Sequence, residues 1–467
     1  MLCFAMLSNF FQPFRQHIIG LRQHFDSPYG LQRIIYADWT ATGRGYYPIE
    51  QYLLQEILPF IGNTHTGTTI TGSKMSDAYM AAKETIKAHV HANEEDVLLF
   101  CGSGMTAAVN KLQRMLQLQE AVVFVTAMEH HSNHISWLET GAVVEVIGLT
   151  AEGLVDLWHF EQLLVKYKNR RFKIAAVTAC SNVTGIYTPY YQIAGLVHAY
   201  GGYCFVDFAC AAPYCKIDMH PENDSTCLDA IYYSSHKFLG GPGTPGVLIF
   251  NRQLYSKAVP DQPGGGTVSY TNPWGERVYI EDIEVREDGG TPPFLMGIKA
   301  AMCIALKDEM GVERIQGRIK EMLAIVFRRL AGIKEIRVLQ ENIQERSGVV
   351  SFIVTGVHYN LVARLLNDRF GIQVRGGCSC AGTYGHILLQ VDKVQSYGIR
   401  QDIEAGKLSS KPGWVRLSLH PTMTDEEVNY IIDAIEMTIS YASEWGKDYH
   451  YDSRSNEYYY QGVVQAC

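Results

Sequence analysis

The feature that most constrains the fold is an alternation of short apolar runs and longer amphipathic stretches through the middle of the chain. DVLLF at 96–100, KIAAVT at 173–178 and YCFVD at 203–207 have the length of buried strands. The stretches between them, such as MTAAVNKLQRMLQL, carry apolar residues at helical spacing. This pattern is typical of βαβ units. The sequence therefore predicts an α/β fold with a mainly parallel central sheet flanked by helices.

The texture of the sequence changes after about residue 295. Helical patterns at 296–310 and 311–331 are followed by the strand-like SGVVSFIV and WVRLSL segments and by further helical stretches. A chain of 467 residues is too long for one core, so it is expected to divide. We predict a helical N-terminal arm (1–35), a large domain (36–295) and a smaller α+β domain (296–467). The Tyr-rich, aperiodic tail after Lys447 receives no assignment.

Composition and charge exclude several classes of partner. The formal net charge is −8 and no run of basic residues occurs, which argues against nucleic acid or an anionic membrane surface. No apolar run reaches the roughly 18 residues of a membrane span, and the apolar first twenty residues lack a basic leader region. The eleven cysteines are scattered, as in proteins of a reducing compartment, so a cytoplasmic location is expected.

The segment IYYSSHKFLGGPG carries the most chemistry. Lys237 follows a strand and enters a Gly- and Pro-rich loop, from which an amine can reach a cleft while the strands hold its backbone. Such an amine suits pyridoxal phosphate (PLP), whose aldehyde it can attack. The hydroxyls of Ser234 and Ser235 and the ring of His236 are suited to a phosphate. Taken alone, Lys237 is better explained as a surface lysine beside a structural turn.

Two further positions fit a phosphorylated, ring-shaped ligand. Asp207 ends an apolar strand, where a carboxylate can face the ligand crevice of an open α/β sheet, although it can also be a helix N-cap. In CGSGMT, the backbone N–H groups of Gly104, Met105 and Thr106 open a predicted helix and can bind an anion. The motif is neither a dinucleotide fingerprint nor a P-loop, and it can equally be a glycine turn without a ligand.

Taken together, seven ordered motifs resemble class V aminotransferase-fold enzymes, and in particular the cysteine desulfurase and selenocysteine lyase group. The motifs are CGSGMTAAVN, MEHHSN, CSNVTG, VDFACAAP, SSHKFLGGPG, EDGGTPP and VRGGCSCAG, and the resemblance spans roughly residues 33–440. It implies a fold-type I PLP-dependent transferase. Each motif alone is weak, and their order and spacing make the resemblance specific.

The resemblance implies a role for each matching residue of the cofactor site. Lys237 is similar to the Schiff-base lysine, Asp207 to the partner of the pyridine nitrogen, and His130 to the histidine that stacks on the ring and moves protons. Asn182 resembles the residue that contacts the cofactor O3′. The implied phosphate ligands are Gly104, Met105, Thr106, Ser234, His236 and, from a second subunit, Thr291. The last contact implies a homodimer.

The motif VRGGCSCAGTYGH implies the reaction. Arg375 and Arg416 resemble contacts to the substrate α-carboxylate, and Cys380 the nucleophile that takes sulfur or selenium as a persulfide and passes it to an acceptor protein. His65 in GNTHTG can line the substrate pocket or stand in a structural turn. The implied substrates are the small amino acids cysteine and selenocysteine.

Departures from the family pattern leave alternatives open. Cys210 stands where the family usually has a glutamine, and Cys378 is an additional thiol that could form a disulfide, relay a persulfide, bind a metal or only fill space. Cys204, Cys210 and Cys215 are expected to be core residues, and no metal site is expected. An aminotransferase, epimerase or amino-acid lyase on the same fold is the main alternative function. A scaffold protein without catalysis is a second one.

Overall fold

The structure is a computed structural model that describes residues 4–64 and 66–462. The helices are α1 (Phe4–Arg15), α2 (Tyr47–Tyr52), α3 (Ile70–His89), α4 (Gly104–Met115), α5 (Ile135–Leu138), α6 (Leu157–Lys166), α7 (Tyr190–Ala199), α8 (Ile283–Glu287), α9 (Phe294–Met310), α10 (Val312–Leu330), α11 (Tyr359–Phe370), α12 (Gly382–Leu388), α13 (Lys393–Glu404) and α14 (Asp425–Trp445). No helix of the described residues combines the length and apolar character needed to cross a membrane.

The strands are short, between two and six residues long. They are β1 (His24–Ser27), β2 (Gly30–Arg33), β3 (Ile35–Tyr36), β4 (Asp96–Cys101), β5 (Val122–Thr126), β6 (Val143–Ile147), β7 (Lys173–Thr178), β8 (Tyr203–Asp207), β9 (Ala230–Ser234), β10 (Gly246–Asn251), β11 (Val268–Thr271), β12 (Arg277–Tyr279), β13 (Ile336–Val338), β14 (Val349–Val354), β15 (Ile372–Gln373), β16 (Arg375–Gly377), β17 (Trp414–Ser418), β18 (Tyr449–Asp452) and β19 (Glu457–Tyr460).

The chain forms two compact units. The central unit comprises Thr42–Cys180 and Thr188–Val312, and the terminal unit comprises Met1–Ala41, Ser181–Tyr187 and Glu313–Cys467. The terminal unit thus contains both ends of the chain and a short segment from its middle. The predicted domain limits of 1–35, 36–295 and 296–467 stay a prediction.

The central unit is built on a seven-stranded sheet in the order β4-β10-β9-β8-β7-β5-β6. The pairs among β5, β6, β7, β8 and β9 are parallel, and only β10 runs antiparallel to its neighbours β9 and β4. The predicted mainly parallel sheet is therefore confirmed. Strands β4, β5, β7 and β9 are buried throughout, because helices cover both faces of such a sheet.

The parallel arrangement brings the carboxyl ends of several strands to one edge of the central sheet. Thr178 at the end of β7 pairs with Asp207 at the end of β8, and Asp207 pairs with Tyr232 of β9. Strand β4 leads directly into α4 at the same edge, where Gly104 approaches Ser234. In open α/β sheets, ligands bind at the carboxyl ends of the strands, so polar residues in these positions indicate a ligand site.

The terminal unit contains a four-stranded antiparallel sheet in the order β13-β14-β17-β16. Helices α10, α11 and α14 belong to the same unit, and α10 begins and ends within one residue of the predicted stretch 311–331. The short strand β15 pairs in parallel with β3. These elements confirm the smaller α+β part that the sequence predicts.

The two ends of the chain differ in how well the sequence predicts them. Helix α1 (Phe4–Arg15) lies within the predicted arm of residues 1–35, which stays a prediction. The Tyr-rich tail, which received no assignment, is the antiparallel hairpin β18–β19. Its rings pack within the terminal unit, where Tyr449 donates to Asp368 at 2.9 Å and Tyr460 lies edge-on to Tyr29.

Candidate active site

Lys237 lies in the central unit at the end of a 3-10 turn that follows β9. The turn is fixed by its backbone, because the carbonyl of His236 accepts from the N–H of Gly43 at 2.9 Å. A Cβ at Gly241 would lie 2.2 Å from the carbonyl oxygen of Ser235, so this position needs glycine. Lys237 is half-buried on this constrained loop, as its predicted role requires.

Asp207 is a buried carboxylate at the end of β8. It is 2% exposed, and one of its oxygens accepts the N–H of Ala209 at 2.8 Å. Burial raises the pKa of Asp207 to about 6, while that N–H group and the Lys237 ammonium act in the lowering direction. Asp207 and Lys237 therefore interact electrostatically within one unit, and the carboxylate is charged at neutral pH.

The predicted phosphate ligands of the central unit cluster around the beginning of α4. The hydroxyl of Ser234 accepts from the N–H of Met105 at 2.8 Å, which leaves the Ser234 proton for another acceptor. Gly104 has a φ of +62°, and a Cβ there would lie 2.8 Å from the Ser234 hydroxyl. Thr106 is exposed and its hydroxyl lies 2.7 Å from that of Ser132. The structure thus brings together Gly104, Met105, Thr106 and Ser234, and their role as phosphate ligands stays a prediction.

The ring of His236 borders the same place. Burial lowers the pKa of His236 to about 4, and the neighbouring Lys237 charge acts in the same direction. The ring is therefore neutral at physiological pH, with its Nδ1 3.0 Å from the Thr42 hydroxyl. A neutral imidazole offers a phosphate a single hydrogen bond rather than a charge.

His130 lies on the turn after β5, next to a buried glutamate that the sequence analysis did not single out. The Nδ1 of His130 accepts from the N–H of Ser132 at 3.1 Å, so the ring proton belongs on Nε2. Glu129 is 2% exposed and accepts from Thr126, Asn133 and Thr178. Glu129 thereby fixes the turn that carries His130.

Thr291 follows a segment that buried ion pairs hold to the central unit. Glu287 pairs with Lys111 at 2.6 Å, and Asp288 pairs with Lys83 at 2.9 Å. Thr291 itself is exposed. A rigidly held segment that ends in an exposed hydroxyl is compatible with the predicted contact to a second subunit.

The two arginines that resemble carboxylate contacts are neighbours in the terminal unit. Arg375 on β16 and Arg416 on β17 are paired directly across the antiparallel ladder. Asp38 bridges them, with Oδ2 3.0 Å from Arg375 and Oδ1 2.8 Å from Arg416. Asp38 is not among the predicted site residues, because an aspartate after a short strand has many structural explanations.

Asn182 joins the arginines to the cysteine loop of the same unit. Its carbonyl accepts from Nη1 of Arg416 at 3.2 Å, and its side-chain amide donates to the carbonyl of Ser379 at 2.6 Å. Its Oδ1 is buried without a partner among the described residues, as is Nε of Arg416. A buried donor and a buried acceptor left open in this way are suited to a polar ligand.

The loop that carries Cys380 has an unusual backbone. Ser379 and Cys380 have φ values of +52° and +56°, and the N–H of Ala381 donates to the carbonyl of Cys378 at 3.1 Å. Residues with a side chain rarely adopt this left-handed region, and they concentrate at functional sites. Cys380 is exposed and Cys378 is half-buried, and both are unpaired thiols.

The remaining predicted positions are one histidine and three cysteines. His65 lies outside the described residues. Cys204, Cys210 and Cys215 are buried, as expected of core residues. Among the described residues, one group of three potential metal ligands occurs, at His198, Cys227 and Asp229.

Comparison with known proteins identifies the family. The model of the family described as aminotransferase class-V matches residues 35–431. The chain belongs to this family. A probable cysteine desulfurase from Staphylococcus aureus strain N315 is 29% identical over 358 residues, which cover 75% of this chain and 84% of that protein. A probable cysteine desulfurase from Halalkalibacterium halodurans is 29% identical over 360 residues, with 74% and 84% covered.

Solved structures confirm the fold-type I architecture of this class V protein. An apo cysteine desulfurase from Thermococcus onnurineus matches with a TM-score of 0.73 at 23% identity, covering 87% of this chain and 95% of that one. A cysteine desulfurase (S-sulfonic acid) from Escherichia coli matches with a TM-score of 0.72 at 21% identity, covering 92% and 98%. The class V family and these relatives make the chain a PLP-dependent enzyme.

The residues of the central unit fit PLP as this family uses it. A buried carboxylate beside a lysine suits a cationic ring, because burying a charge is favourable only when an opposite charge accompanies it. Gly104 provides a cradle that any Cβ would fill, and the hydroxyl of Ser235 is buried without a partner among the described residues. The donor set therefore matches a phosphate next to a protonated pyridine.

Proposed function

We propose that this class V enzyme is a cysteine desulfurase that also accepts selenocysteine and yields alanine. The observation that carries the proposal is Cys380, an exposed thiol on a strained turn five residues after Arg375. The Cys380 thiolate attacks the substrate sulfur, the bond between that sulfur and the substrate carbon breaks, and the carbon takes up a proton. The sulfur remains on Cys380 as a persulfide, and an acceptor protein then removes it.

Lys237 and Asp207 are the residues we assign to the cofactor. When bound, PLP supplies an electron sink for the negative charge that develops at the substrate α-carbon. The amine of Lys237 would hold the cofactor covalently and, when free, would take the α-proton of the substrate. The buried carboxylate of Asp207 keeps a proton on the pyridine nitrogen, for which its negative charge at neutral pH is required.

The other residues of the central unit that we assign to the site bind and orient the cofactor. His130 stacks on the ring and moves protons through its Nε2–H, and Ser234, His236 and the beginning of α4 hold the phosphate. The exposed Thr291 reaches the phosphate of a second subunit, which makes the enzyme a homodimer. The limits of the arm, large domain and small domain remain part of this proposal.

The terminal unit supplies the substrate contacts. Arg375 and Arg416 bind the α-carboxylate, and the buried, partnerless Nε of Arg416 is a donor that a carboxylate would satisfy. Asn182 contacts the cofactor O3′ and holds the Ser379 carbonyl of the cysteine loop at 2.6 Å. We assign His65 to the substrate pocket by family resemblance alone. The absence of a disulfide among the described cysteines suits a reducing compartment such as the cytoplasm.

Product analysis tests the proposal. The PLP-loaded enzyme and L-cysteine, with a thiol reductant, should give sulfide and alanine in equal amounts, and selenocysteine should give selenide. Cys380→Ala should lose sulfide release, whereas the matched variant Cys227→Ala, a half-buried thiol of the central unit, should keep it. A keto acid without sulfide would contradict the proposal and indicate an aminotransferase. Racemised amino acid would indicate an epimerase.

A further inference from the structure

The two arginines proposed to hold the substrate carboxylate already share one carboxylate of the protein. Both Nε and Nη2 of Arg375 lie 3.0 Å from Oδ2 of Asp38. Nη2 of Arg416 lies 2.8 Å from Oδ1 of the same residue. The side chains of Asp38 and Arg416 are only 13% and 4% exposed, whereas that of Arg375 is 48% exposed. The three groups form a triad with one net positive charge, in which Asp38 and Arg416 are largely buried and Arg375 is half-exposed.

The backbone holds Asp38 in this position. Asp38 bridges to Ser418 at the end of β17, the strand that carries Arg416, and the N–H of Ser418 donates to the carbonyl of Ala37 at 2.8 Å. The N–H of Thr40 donates to the Ser418 hydroxyl at 3.1 Å. Trp39 stacks on His420 with ring centroids 3.9 Å apart. Asp38 is therefore a fixed third member of the arginine pair.

We propose that Asp38 is the specificity-determining residue that restricts this site to amino acids with a single carboxylate. The inference rests on the proposed role of Arg375 and Arg416 and deepens it. With two guanidiniums and one resident carboxylate, the triad is neutralised by one incoming carboxylate. A second acidic group on the substrate would add an unbalanced negative charge in a poorly solvated place, which is costly.

The distribution of donors supports this restriction. Oδ2 of Asp38 occupies the Nε and Nη2 edge of Arg375, one of the edges through which a guanidinium can bind a carboxylate with two hydrogen bonds. On Arg416, Nη1 and Nη2 are engaged by Asn182 and Asp38, and Nε has no partner among the described residues. The substrate thus meets a few remaining donors rather than two open guanidiniums, and these suffice for one carboxylate.

The experiment measures amino-acid binding to the PLP-loaded enzyme by calorimetry, with L-alanine and L-aspartate as probes. Asp38→Asn keeps the shape of the side chain and removes its charge. We expect this variant to bind L-aspartate roughly tenfold more tightly or better, because it lacks one nearby negative charge. The affinity for L-alanine should improve less. Equal changes for both probes, or no gain for L-aspartate, would overturn the proposal.

Glu427→Gln is the matched control. Glu427 also bridges two arginines of the terminal unit, Arg15 and Arg33, but it touches neither Arg375 nor Arg416. Its substitution should leave the ratio of the two affinities unchanged. The same gain for L-aspartate in this control would show a general charge effect and would overturn the role of Asp38.

A second pair of variants covers the case in which Asp38→Asn does not fold because two cross-strand arginines repel each other. Arg375→Gln should weaken L-alanine binding strongly, since it leaves no net positive charge. Arg375→Gln combined with Asp38→Asn restores one positive charge and should recover part of that affinity. A double variant no better than Arg375→Gln would overturn the proposal. Sulfide release tests the function separately, whereas a wild type that binds neither amino acid would overturn both.

Discussion

Arg375 and Arg416 lie directly opposite each other in the antiparallel pair β16–β17. Two like charges in this position destabilise a sheet unless a counter-charge accompanies them, so the pair indicates a site for a carboxylate. Asp38 provides one such charge in the protein, and the substrate would provide the second. A pair of arginines separated by 41 positions in the sequence thereby becomes one anion site.

Replacing Arg416 by lysine should raise the KM for L-cysteine by about tenfold or more. Lysine keeps the charge but loses the planar fork that donates to Asp38, to Asn182 and to a substrate carboxylate. The turnover number should change less, because the contact exists before the reaction. Arg400→Lys is the control, since Arg400 is 72% exposed and pairs with Glu404 in the same helix. A fall in turnover number without a change in KM would contradict the assignment.

Lys237→Ala should leave no covalently attached cofactor. Lys237 is held half-buried on a turn whose backbone is fixed by Gly43, and no other lysine is proposed to reach the cofactor. Borohydride reduction of the PLP-loaded enzyme followed by peptide mapping should find the label on Lys237 in the wild type and nowhere in the variant. Lys216→Ala, at an exposed lysine of the same unit, should retain the label. A label on another lysine would contradict the assignment.

Glu129→Gln should destabilise the protein by about 1–3 kcal/mol, the cost of a buried polar group without a partner. Burial raises the pKa of Glu129 to about 8, although Asn133, Thr126 and Thr178 donate to it and favour its charged form. In the variant, the NH2 group of the new side-chain amide can face the NH2 group of Asn133, and two donors cannot form a hydrogen bond. The Asn133 amide cannot rotate to offer its oxygen instead, because that oxygen accepts from Tyr232 at 2.6 Å.

Chemical denaturation measures this loss. Glu139→Gln, at an exposed glutamate nearby, is the control and should be neutral. Since Glu129 fixes the turn of His130, the variant should also shift the visible absorbance of the bound cofactor. An unchanged free energy of unfolding would show that Glu129 is not part of a connected network.

The pH dependence of stability should report the pair between His198 and Asp229. Burial lowers the pKa of His198, but the Asp229 carboxylate at 2.8 Å and the Ser225 carbonyl raise it above 6.5 overall. The folded state therefore gains stability that is fully present below pH 6.5 and lost as the pH rises through the raised pKa. His198→Gln should lower the melting temperature at acidic pH and have a diminishing effect as the pH rises. An effect independent of pH would contradict the ion pair, and exposed His450→Gln is the control.

The sequence predicts the central unit well because its signals are local. The strands β4, β7 and β8 are short, largely apolar runs, and the structure places each of them at the predicted residues or within one of them. Asp207 and Ser234 could be assigned to the ligand edge of the sheet from the parallel arrangement alone. Parallel strands carry their carboxyl ends to a common edge whatever the loops between them do.

The terminal unit contains the contacts and the hairpin that could not be predicted from the sequence. Asp38 is 337 positions from Arg375 in the sequence, and no local sequence pattern indicates that their side chains form an ion pair. The hairpin β18–β19 escaped prediction because its Tyr-rich segment is aperiodic, and its rings pack against Tyr29 and His358 from other elements. Contacts of this kind depend on tertiary structure, and a single sequence does not contain their register.

The most direct test of the account is the mass of the Cys380 peptide after one turnover. The PLP-loaded enzyme is mixed with one equivalent of L-cysteine without reductant, quenched with an alkylating agent and digested. The account predicts that the peptide with Cys380 gains the mass of one sulfur atom, and that the gain disappears on treatment with a reductant. Release of alanine while Cys380 stays unmodified would contradict this role of Cys380. Extra sulfur on a peptide of the Cys380→Ala variant would contradict it as well.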